Sequence, residues 1–318
     1  MAVTLKIEEK KTNVDVAPAP DLSDYVAEGE RGEGTKAFII WFVAMILLSL
    51  VLALVPVPTV QSIGIGIGAW WFLSVAGYFF IGPKMLLRRL RLEEKNRITS
   101  RTFPRLAQAI AKGSAIVGIP EPEAYCVPDG ISQVKILGTA PQFIVITKAA
   151  TELLQPNELD ALILRSLVHS RENHVRRLTL LQFLADTPPA ARVLVWPVSF
   201  YAALLNMAWH ELADQTADRL TLLILRNPRV LMGALLKQFS ISDPMMIERG
   251  VSAQDVDSYV QQDGAIDAAG LSVSTQYKIG SAIGDNPYMD GRITAFQEWA
   301  RSPEFQAALQ KLAAKRKA

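Results

Sequence analysis

The residues that could do chemistry near neutral pH are three histidines, His169, His174 and His210, a residue type that can hold a metal ion or move a proton. Residues four apart share one face of a helix, so Arg165 would neighbour His169, and His210 would neighbour Asp214. His169 and His174 are five apart in the sequence, which places them about 140° apart around a helix axis. This spacing predicts that the two rings cannot easily bind one ion together.

The composition excludes several other kinds of site. One cysteine, Cys126, allows no internal disulfide and no multi-cysteine metal cage, and we expect it to be a small apolar residue of a strand. Thirty-three basic residues against 31 acidic ones are too even a balance for a chain that binds nucleic acid. Of the 318 residues, 50% are hydrophobic and 20% are charged, so the chain needs either a large core or a membrane.

Two predicted helices position the histidines. Asn157 is the predicted N-cap of a long helix from Glu158 to about Ala185, whose apolar residues recur at helical spacing. A second helix is predicted over Glu211–Leu225, because Asn227-Pro228 ends it. All three histidines therefore fall in or beside these two helices.

Shorter elements are predicted around this pair. They are helical segments over 84–118 that end at Gly118, β-type runs at Ala124–Val127 and Phe143–Thr147, two short helices after Leu225, and a polar loop region over Ser252–Asp285. The sequence thus predicts a mainly α fold with a small β element.

A transmembrane hairpin is predicted ahead of these elements. Residues 37–83 are 47 consecutive residues without Asp, Glu, Lys or Arg, and one helical crossing needs about 20 apolar residues. The two spans would be Ala37–Val55 and Ile63–Gly82. The predicted organisation is a polar disordered tail over 1–36, the hairpin over 37–83 and a main domain over 84–318.

Basic residues predict the orientation of this hairpin. Residues 83–101 carry seven basic and two acidic side chains, whereas the turn between the spans is uncharged. Basic residues are retained on the cytoplasmic side, so the N-terminal tail and the main domain are expected to be cytoplasmic. Residues 193–209, which are uncharged, fit a membrane-embedded helix and a buried core helix equally well.

Gly64 and Gly68 have the small-xxx-small spacing that lets membrane helices approach closely. We expect close packing within the hairpin or between two copies. The expected partners are the lipid bilayer and other membrane proteins or a second copy, and not nucleic acid.

Several stretches in order resemble one family. The stretch NELDALILRSLVHSRENHVRRLTLLQ (Asn157–Gln182) is similar to the active-site helix of HtpX-type membrane zinc metallopeptidases, relatives of the CAAX prenyl proteases. The upstream stretch ILGTAPQFIVITKAATELLQPNEL, the downstream stretch DQTADRLTLLI (Asp214–Ile224) and NPYMDGRITAF are also similar to segments of that family. The resemblance implies a zincin-like (gluzincin) domain after the hairpin, and a bacterial inner membrane as the location.

The metal-binding motif of that family is degenerate in this chain. Where the family has H-E-x-x-H, this chain reads Arg165-Ser166-Leu167-Val168-His169. The resemblance places Arg165 at the first metal ligand, Ser166 at the general base and His169 at the second ligand. Asp214 stands at the third ligand position. Asp218 matches a packing residue near the metal, and Arg292 matches a terminal arginine for which we expect a structural ion pair.

The substituted residues cannot do the family's chemistry. An arginine guanidinium stays protonated and cannot ligate zinc, and serine is not a general base near neutral pH. We therefore expect Arg165 and Asp214, with His169 beside them, to join the two helices by charge-assisted hydrogen bonds where the family holds zinc. No cofactor and no catalytic residue are expected.

Three functions remain open at this point, and the least favoured is a membrane-embedded assembly or transport component unrelated to peptidases. The leading hypothesis is a catalytically inactive, membrane-anchored metallopeptidase-like protein that acts as an interaction or regulatory subunit of a membrane complex. The alternative is a membrane zinc metalloendopeptidase with a rearranged metal site that uses His169, Asp214 or His210. The sequence leaves open whether the chain is an enzyme.

Overall fold

The computed structural model of the chain describes residues 23–28, 30–80, 84, 92–128, 133–138, 141–185, 209–262 and 287–315. The fold of these residues is mainly helical, with one small sheet. The helices are α1 (Glu30–Leu54), α2 (Pro58–Phe80), α3 (Pro104–Val117), α4 (Lys148–Leu153), α5 (Pro156–Arg171), α6 (Val175–Ala185), α7 (Glu211–Leu225), α8 (Pro228–Ser242), α9 (Pro244–Glu248), α10 (Ala253–Gln262), α11 (Pro287–Arg301) and α12 (Pro303–Lys315). The strands are β1 (Glu123–Val127), β2 (Val134–Gly138) and β3 (Gln142–Thr147).

Helices α1 and α2 fold back on each other as an apolar hairpin. The stretch Pro58–Gly77 is long and apolar enough to cross a membrane, and Ile39–Leu54 is a shorter apolar stretch. Large apolar side chains such as Ile40, Leu54 and Ile65 stand exposed on the hairpin. The second helix begins at Pro58, earlier than the predicted start of the second span, and α1 already begins at Glu30, within the predicted tail.

The two helices of the hairpin touch at Gly64. A Cβ atom on Gly64 would lie 2.6 Å from the backbone nitrogen of Ala53, too close for any side chain there. The two helices also contact each other through Trp41 of α1 and Trp71 of α2, whose ring centroids lie 5.7 Å apart. Both tryptophans also pack in one cluster with Trp209 of the main domain. The base of the hairpin therefore rests on the main domain.

The sheet has the strand order β1-β3-β2. Strand β3 pairs in parallel with β1 and antiparallel with β2. Ile144 and Ile146 of β3 are fully buried, so the central strand joins the main core. Strands β1 and β3 confirm the two predicted β-type runs, whereas β2 was not predicted. Its last residue, Gly138, has a φ of 106°, and a Cβ there would clash with the Pro141 carbonyl.

Helix α5 is the centre of the main domain. It begins at Pro156, whose fixed φ suits the first turn, and the backbone N–H of Gln155 donates to the Glu158 carboxylate at 2.8 Å. The helix therefore starts before the predicted N-cap, Asn157. Its neighbours are α3, α7, α8 and strand β2. Because α5 is covered on several sides, even Ser166 and His169 are buried.

The prediction of one continuous helix over Glu158–Ala185 is wrong, because a turn separates α5 from α6. Asn173 adopts a φ of 61°, the left-handed conformation that asparagine tolerates better than most residues. The backbone N–H of His174 bonds to the His169 carbonyl at 2.9 Å and closes the turn. Continuous helical spacing therefore does not apply between His169 and His174.

Other predicted boundaries have mixed outcomes. Helix α3 ends at Gly118, and α7 spans Glu211–Leu225, as predicted. Part of the predicted polar loop is helix α10, whose amphipathic pattern was overlooked. The remainder of that loop, residues 193–208, the tail before residue 23 and residues 85–91 of the basic segment lie outside the described residues.

The close approach at Gly64 gives a matched test of the hairpin. We expect Gly64→Ala to destabilise the protein by about 1–3 kcal/mol, because the new methyl group must push the helices apart. Gly66→Ala is the control, since nothing lies within 4 Å of its Cβ position and its gain in helix propensity is the same. Unfolding in detergent micelles measures both, and equal stability of the two variants would contradict the close packing.

Candidate functional site at a buried ion-pair cluster

Helices α5, α7 and α11 bring four charged side chains together. Arg165 projects from the middle of α5, and Asp214 and Asp218 lie four apart on one face of α7. Arg292 comes from α11. The four side chains are between 2% and 13% exposed, and we call them the ion-pair cluster. Two positive and two negative charges make the cluster neutral, which is how buried charges are tolerated.

Both arginines bind both carboxylates. Arg165 Nη2 lies 2.7 Å from Asp214 Oδ1, and Arg165 Nε donates to Asp218 Oδ1 at 2.7 Å. Arg292 donates from Nε to Asp218 Oδ2 at 2.7 Å and from Nη2 to Asp218 Oδ1 at 2.9 Å. Arg292 Nη1 lies 3.0 Å from Asp214 Oδ2. The Arg165–Asp214 contact is a close ion pair without the alignment of a hydrogen bond.

Tyr288 completes the environment of Asp214. Its hydroxyl donates to Asp214 Oδ2. Burial and the Asp214 charge raise the pKa of Tyr288 well above its ordinary value, which keeps the phenol protonated. Tyr288 lies one turn before Arg292 on α11, and no sequence pattern pointed to it as a site residue.

The pKa of Asp214 shows how strongly the cluster holds its charges. Burial alone would raise the pKa of this carboxyl, but the guanidinium groups of Arg165 and Arg292 lower it well below its ordinary value. Burial would likewise lower the pKa of Arg292, and the carboxylates of Asp214 and Asp218 raise it instead. Asp214 and Arg292 therefore keep their charges around neutral pH.

His169 lies beside the cluster and is not part of its bonding. Its Nε2 is 3.6 Å from Asp214 Oδ1, beyond hydrogen-bond distance. Burial, the Arg165 charge and His174 lower the pKa of His169 well below its ordinary value, so the ring is neutral at pH 7.

The other two histidines have separate surroundings. His174 Nδ1 lies 3.0 Å from His169 Nδ1, because the turn at Asn173 replaces the continuous helix on which the predicted angular separation of about 140° depended. On its other side, His174 Nε2 lies 2.6 Å from the carboxylate of Glu30, a residue that no sequence signal pointed to. His210 packs against Tyr288, with ring centroids 5.7 Å apart, and burial lowers its pKa.

The side chain of Ser166 is bonded within its own helix. Its buried hydroxyl donates to the Leu162 carbonyl of the preceding turn at 3.0 Å. That bond satisfies the hydroxyl locally, which is the usual role of a serine within a helix.

The residues at this place do not fit a zinc ion. A zinc ion needs several neutral or anionic ligands around one point, and here a guanidinium nitrogen occupies the space next to Asp214 Oδ1. The other oxygen of Asp214 is taken by Arg292 and Tyr288. Among the described residues, no group of three or more His, Cys, Asp or Glu side chains is arranged to hold a metal ion.

The ion-pair cluster should contribute strongly to stability. We expect Arg165→Met to lower the free energy of unfolding by about 3–5 kcal/mol, because it leaves Asp214 buried with one guanidinium partner fewer. Arg105→Met is the control, since Arg105 makes an exposed pair with Asp160 at 2.9 Å whose loss should change stability by less than about 1 kcal/mol. Denaturant unfolding in detergent compares them. Equal effects would show that the cluster is not stabilising.

The lowered pKa of His169 predicts a pH dependence. The unfolded chain binds a proton on this residue near pH 6.5, while the folded chain resists protonation. Stability linked to His169 is therefore present above pH 6.5 and is lost as the pH falls below it. We expect wild-type stability to fall between pH 7.5 and 5, and His169→Gln to reduce that slope. An unchanged slope in the variant would contradict a neutral buried His169.

Comparison with known proteins relates this chain to metallopeptidases. It is 28% identical over 215 residues to the plastoglobule-localized metallopeptidase 48 of Arabidopsis thaliana, covering 64% of this chain and 58% of that protein. It is 23% identical over 239 residues to a protease HtpX homolog of Moorella thermoacetica, covering 65% of this chain and 77% of the other. The match thus spans less than two thirds of the length of the plastoglobule protein.

No family model and no solved structure matches the chain. The two relatives confirm the resemblance to HtpX-type proteins that the sequence motifs indicated. The chain is distantly similar to the HtpX and plastoglobule metallopeptidases, at about a quarter sequence identity over about two thirds of its length.

Proposed function

We propose that this chain is a membrane-anchored metallopeptidase-like protein without peptidase activity, which serves as an interaction or regulatory subunit of a membrane complex. The observation that supports it is the Arg165 guanidinium, 2.7 Å from Asp214, at the place where the resemblance puts the metal. The relatives carry the names of peptidases. The proposal is that this chain keeps their architecture and uses it for binding.

The charge of Arg165 opposes a metal ion. Two like charges within a few ångströms in a buried site repel each other by several kcal/mol, and a zinc ion carries twice the charge of a guanidinium. Displacing Arg165 would also break its bond to Asp218. Zinc binding would therefore have to overcome both the repulsion and the loss of a buried ion pair.

The second missing part is the general base. In a zincin, a glutamate next to the first ligand takes a proton from the metal-bound water. The matching residue here is Ser166, whose hydroxyl bonds to the Leu162 carbonyl. A serine has no pKa near neutrality, so it cannot take that proton.

The ion-pair cluster can hold helices together as a bound metal ion would. It joins α5 to α7 through Arg165, and both to α11 through Arg292, with charge-assisted hydrogen bonds to the two carboxylates. We propose that the main domain is zincin-like and that these pairs take over the structural contribution of zinc.

The apolar hairpin supports the membrane part of the proposal. Its helix Pro58–Gly77 meets the length and composition of a membrane span, and its outer surface carries exposed apolar side chains. We propose that the hairpin anchors the chain in a bacterial inner membrane, with the main domain and the N-terminus in the cytoplasm, as the basic residues after the hairpin predict.

The zinc content of the purified protein tests whether the metal site has been lost. We expect purified wild-type protein to carry no stoichiometric zinc. The back-substituted variant Arg165→His/Ser166→Glu/Asp214→Glu should gain about one zinc per chain, because it restores the ligands on helices that already lie side by side. Elemental analysis after dialysis against buffered zinc gives the stoichiometry.

The control is the same triple variant with His169→Ala added, which removes one ligand and should bind no zinc. Stoichiometric zinc in the wild type that is lost in His169→Ala, together with chelator-sensitive proteolysis, would overturn the proposal in favour of a rearranged active metal site.

A further inference from the structure

Glu30, the first residue of α1, inserts its carboxylate into a polar pocket of the main domain. His174 Nε2 lies 2.6 Å from Glu30 Oε1, and the Thr216 hydroxyl donates to Glu30 Oε2. Glu30 is 4% exposed, His174 is 2% exposed and Thr216 is fully buried. Glutamates are almost never this buried without partners, so the pocket must replace the bonds that water would make.

The hydrogen bonds of this pocket link Glu30 to Thr216, His174 and the backbone of Ala27. Thr216 accepts from the backbone N–H of Ala27 at 2.8 Å and uses its one proton for Glu30. His174 Nε2 lies 2.6 Å from Glu30 Oε1, and His174 Nδ1 lies 3.0 Å from His169 Nδ1. Both carboxylate oxygens of Glu30 are therefore bound, one by His174 and one by Thr216.

The residues just before Glu30 also rest on the main domain. Tyr25 packs against Trp299, with ring centroids 6.3 Å apart, and Asp24 pairs with Lys311 at 3.2 Å. Residues 24 and 25 thus contact α12 and α11, and Glu30 enters a pocket formed by the turn before α6 and by α7. Ala27 is buried, whereas Glu28 is exposed to solvent.

We infer that His174 and Thr216 form a carboxylate-binding subsite, and that Glu30 of the same chain occupies it to fasten the base of the hairpin to the main domain. Because Glu30 begins α1, the hairpin cannot move away from α7 without emptying the subsite. His174 Nδ1 lies 3.0 Å from His169 Nδ1, and His169 packs beside Asp214, so the subsite is a direct neighbour of the ion-pair cluster. This inference goes beyond the proposed function and holds whether or not the cluster is catalytically silent.

Chemical rescue tests the subsite. Glu30→Ala empties it, and a small carboxylate can then enter. We expect this variant of the full chain in detergent micelles to unfold at a lower temperature than wild type, and formate to raise its unfolding midpoint saturably by several degrees. Chloride at the same ionic strength should not do so.

Two controls make the result specific. Glu28→Ala, an exposed neighbour, and the wild type should show no saturable response to formate. Adding Thr216→Val or His174→Gln to Glu30→Ala should abolish the rescue. A formate response in wild type equal to that of Glu30→Ala, or a rescue that survives both added substitutions, would overturn the subsite.

A second measurement covers the case in which Glu30→Ala cannot be purified. Glu30→Gln keeps the shape of the side chain, so its effect and that of Thr216→Val can be combined in a double-mutant cycle. We expect the double variant to shift the unfolding midpoint clearly less than the sum of the two single shifts. Additive shifts would show that Glu30 and Thr216 act independently, and the inference would fail.

Discussion

The main domain depends on a buried, charge-neutral arrangement of two arginines and two aspartates. Burying any one of these charges alone would cost several kcal/mol, so each is tolerated only because the others are in place. Arg165 and Arg292 share Asp214 and Asp218, and through them three helices from distant parts of the sequence are fixed to one another. The apolar residues around α5 supply the burial that makes these bonds strong.

The ion-pair cluster also limits which ions the site can bind. An arginine at the place of a metal ligand turns a position that would attract a cation into one that repels it. Asp214 keeps the carboxylate that could bind a metal, but its oxygens are committed to Arg165, Arg292 and Tyr288. The four charges of the ion-pair cluster are thus paired with one another, which is the observation that supports the proposed loss of peptidase activity.

Local signals were sufficient for much of the fold. Gly118 ended α3, Asn227-Pro228 ended α7, and the uncharged stretch before residue 83 identified the apolar hairpin. The break at Asn173 was missed because apolar residues continue at helical spacing on both sides of it, and only the left-handed backbone reveals the turn. The same turn brings His174 against His169, a contact that no helical-wheel argument could give.

The site was predictable only as far as the resemblance to a known family reaches. Arg165, Asp214, Asp218 and Arg292 were identified by resemblance, but Tyr288 and Glu30 were not. Both act over long sequence separations, through the packing of α11 and of the segment before α1. Glu30 in particular lies in a polar stretch that gives no local sign of burial. Only the folded structure places His174 and Thr216 around its carboxylate.

A double-mutant cycle between Arg165 and Asp214 measures whether their ion pair joins α5 to α7. For Arg165→Met and Asp214→Leu, compared by denaturant unfolding of the full chain in detergent, we expect a coupling free energy of about 1–3 kcal/mol. The double variant should then be more stable than the sum of the single losses implies. Additive losses, with no coupling between the two positions, would contradict the claim that this ion pair joins the helices in place of a metal.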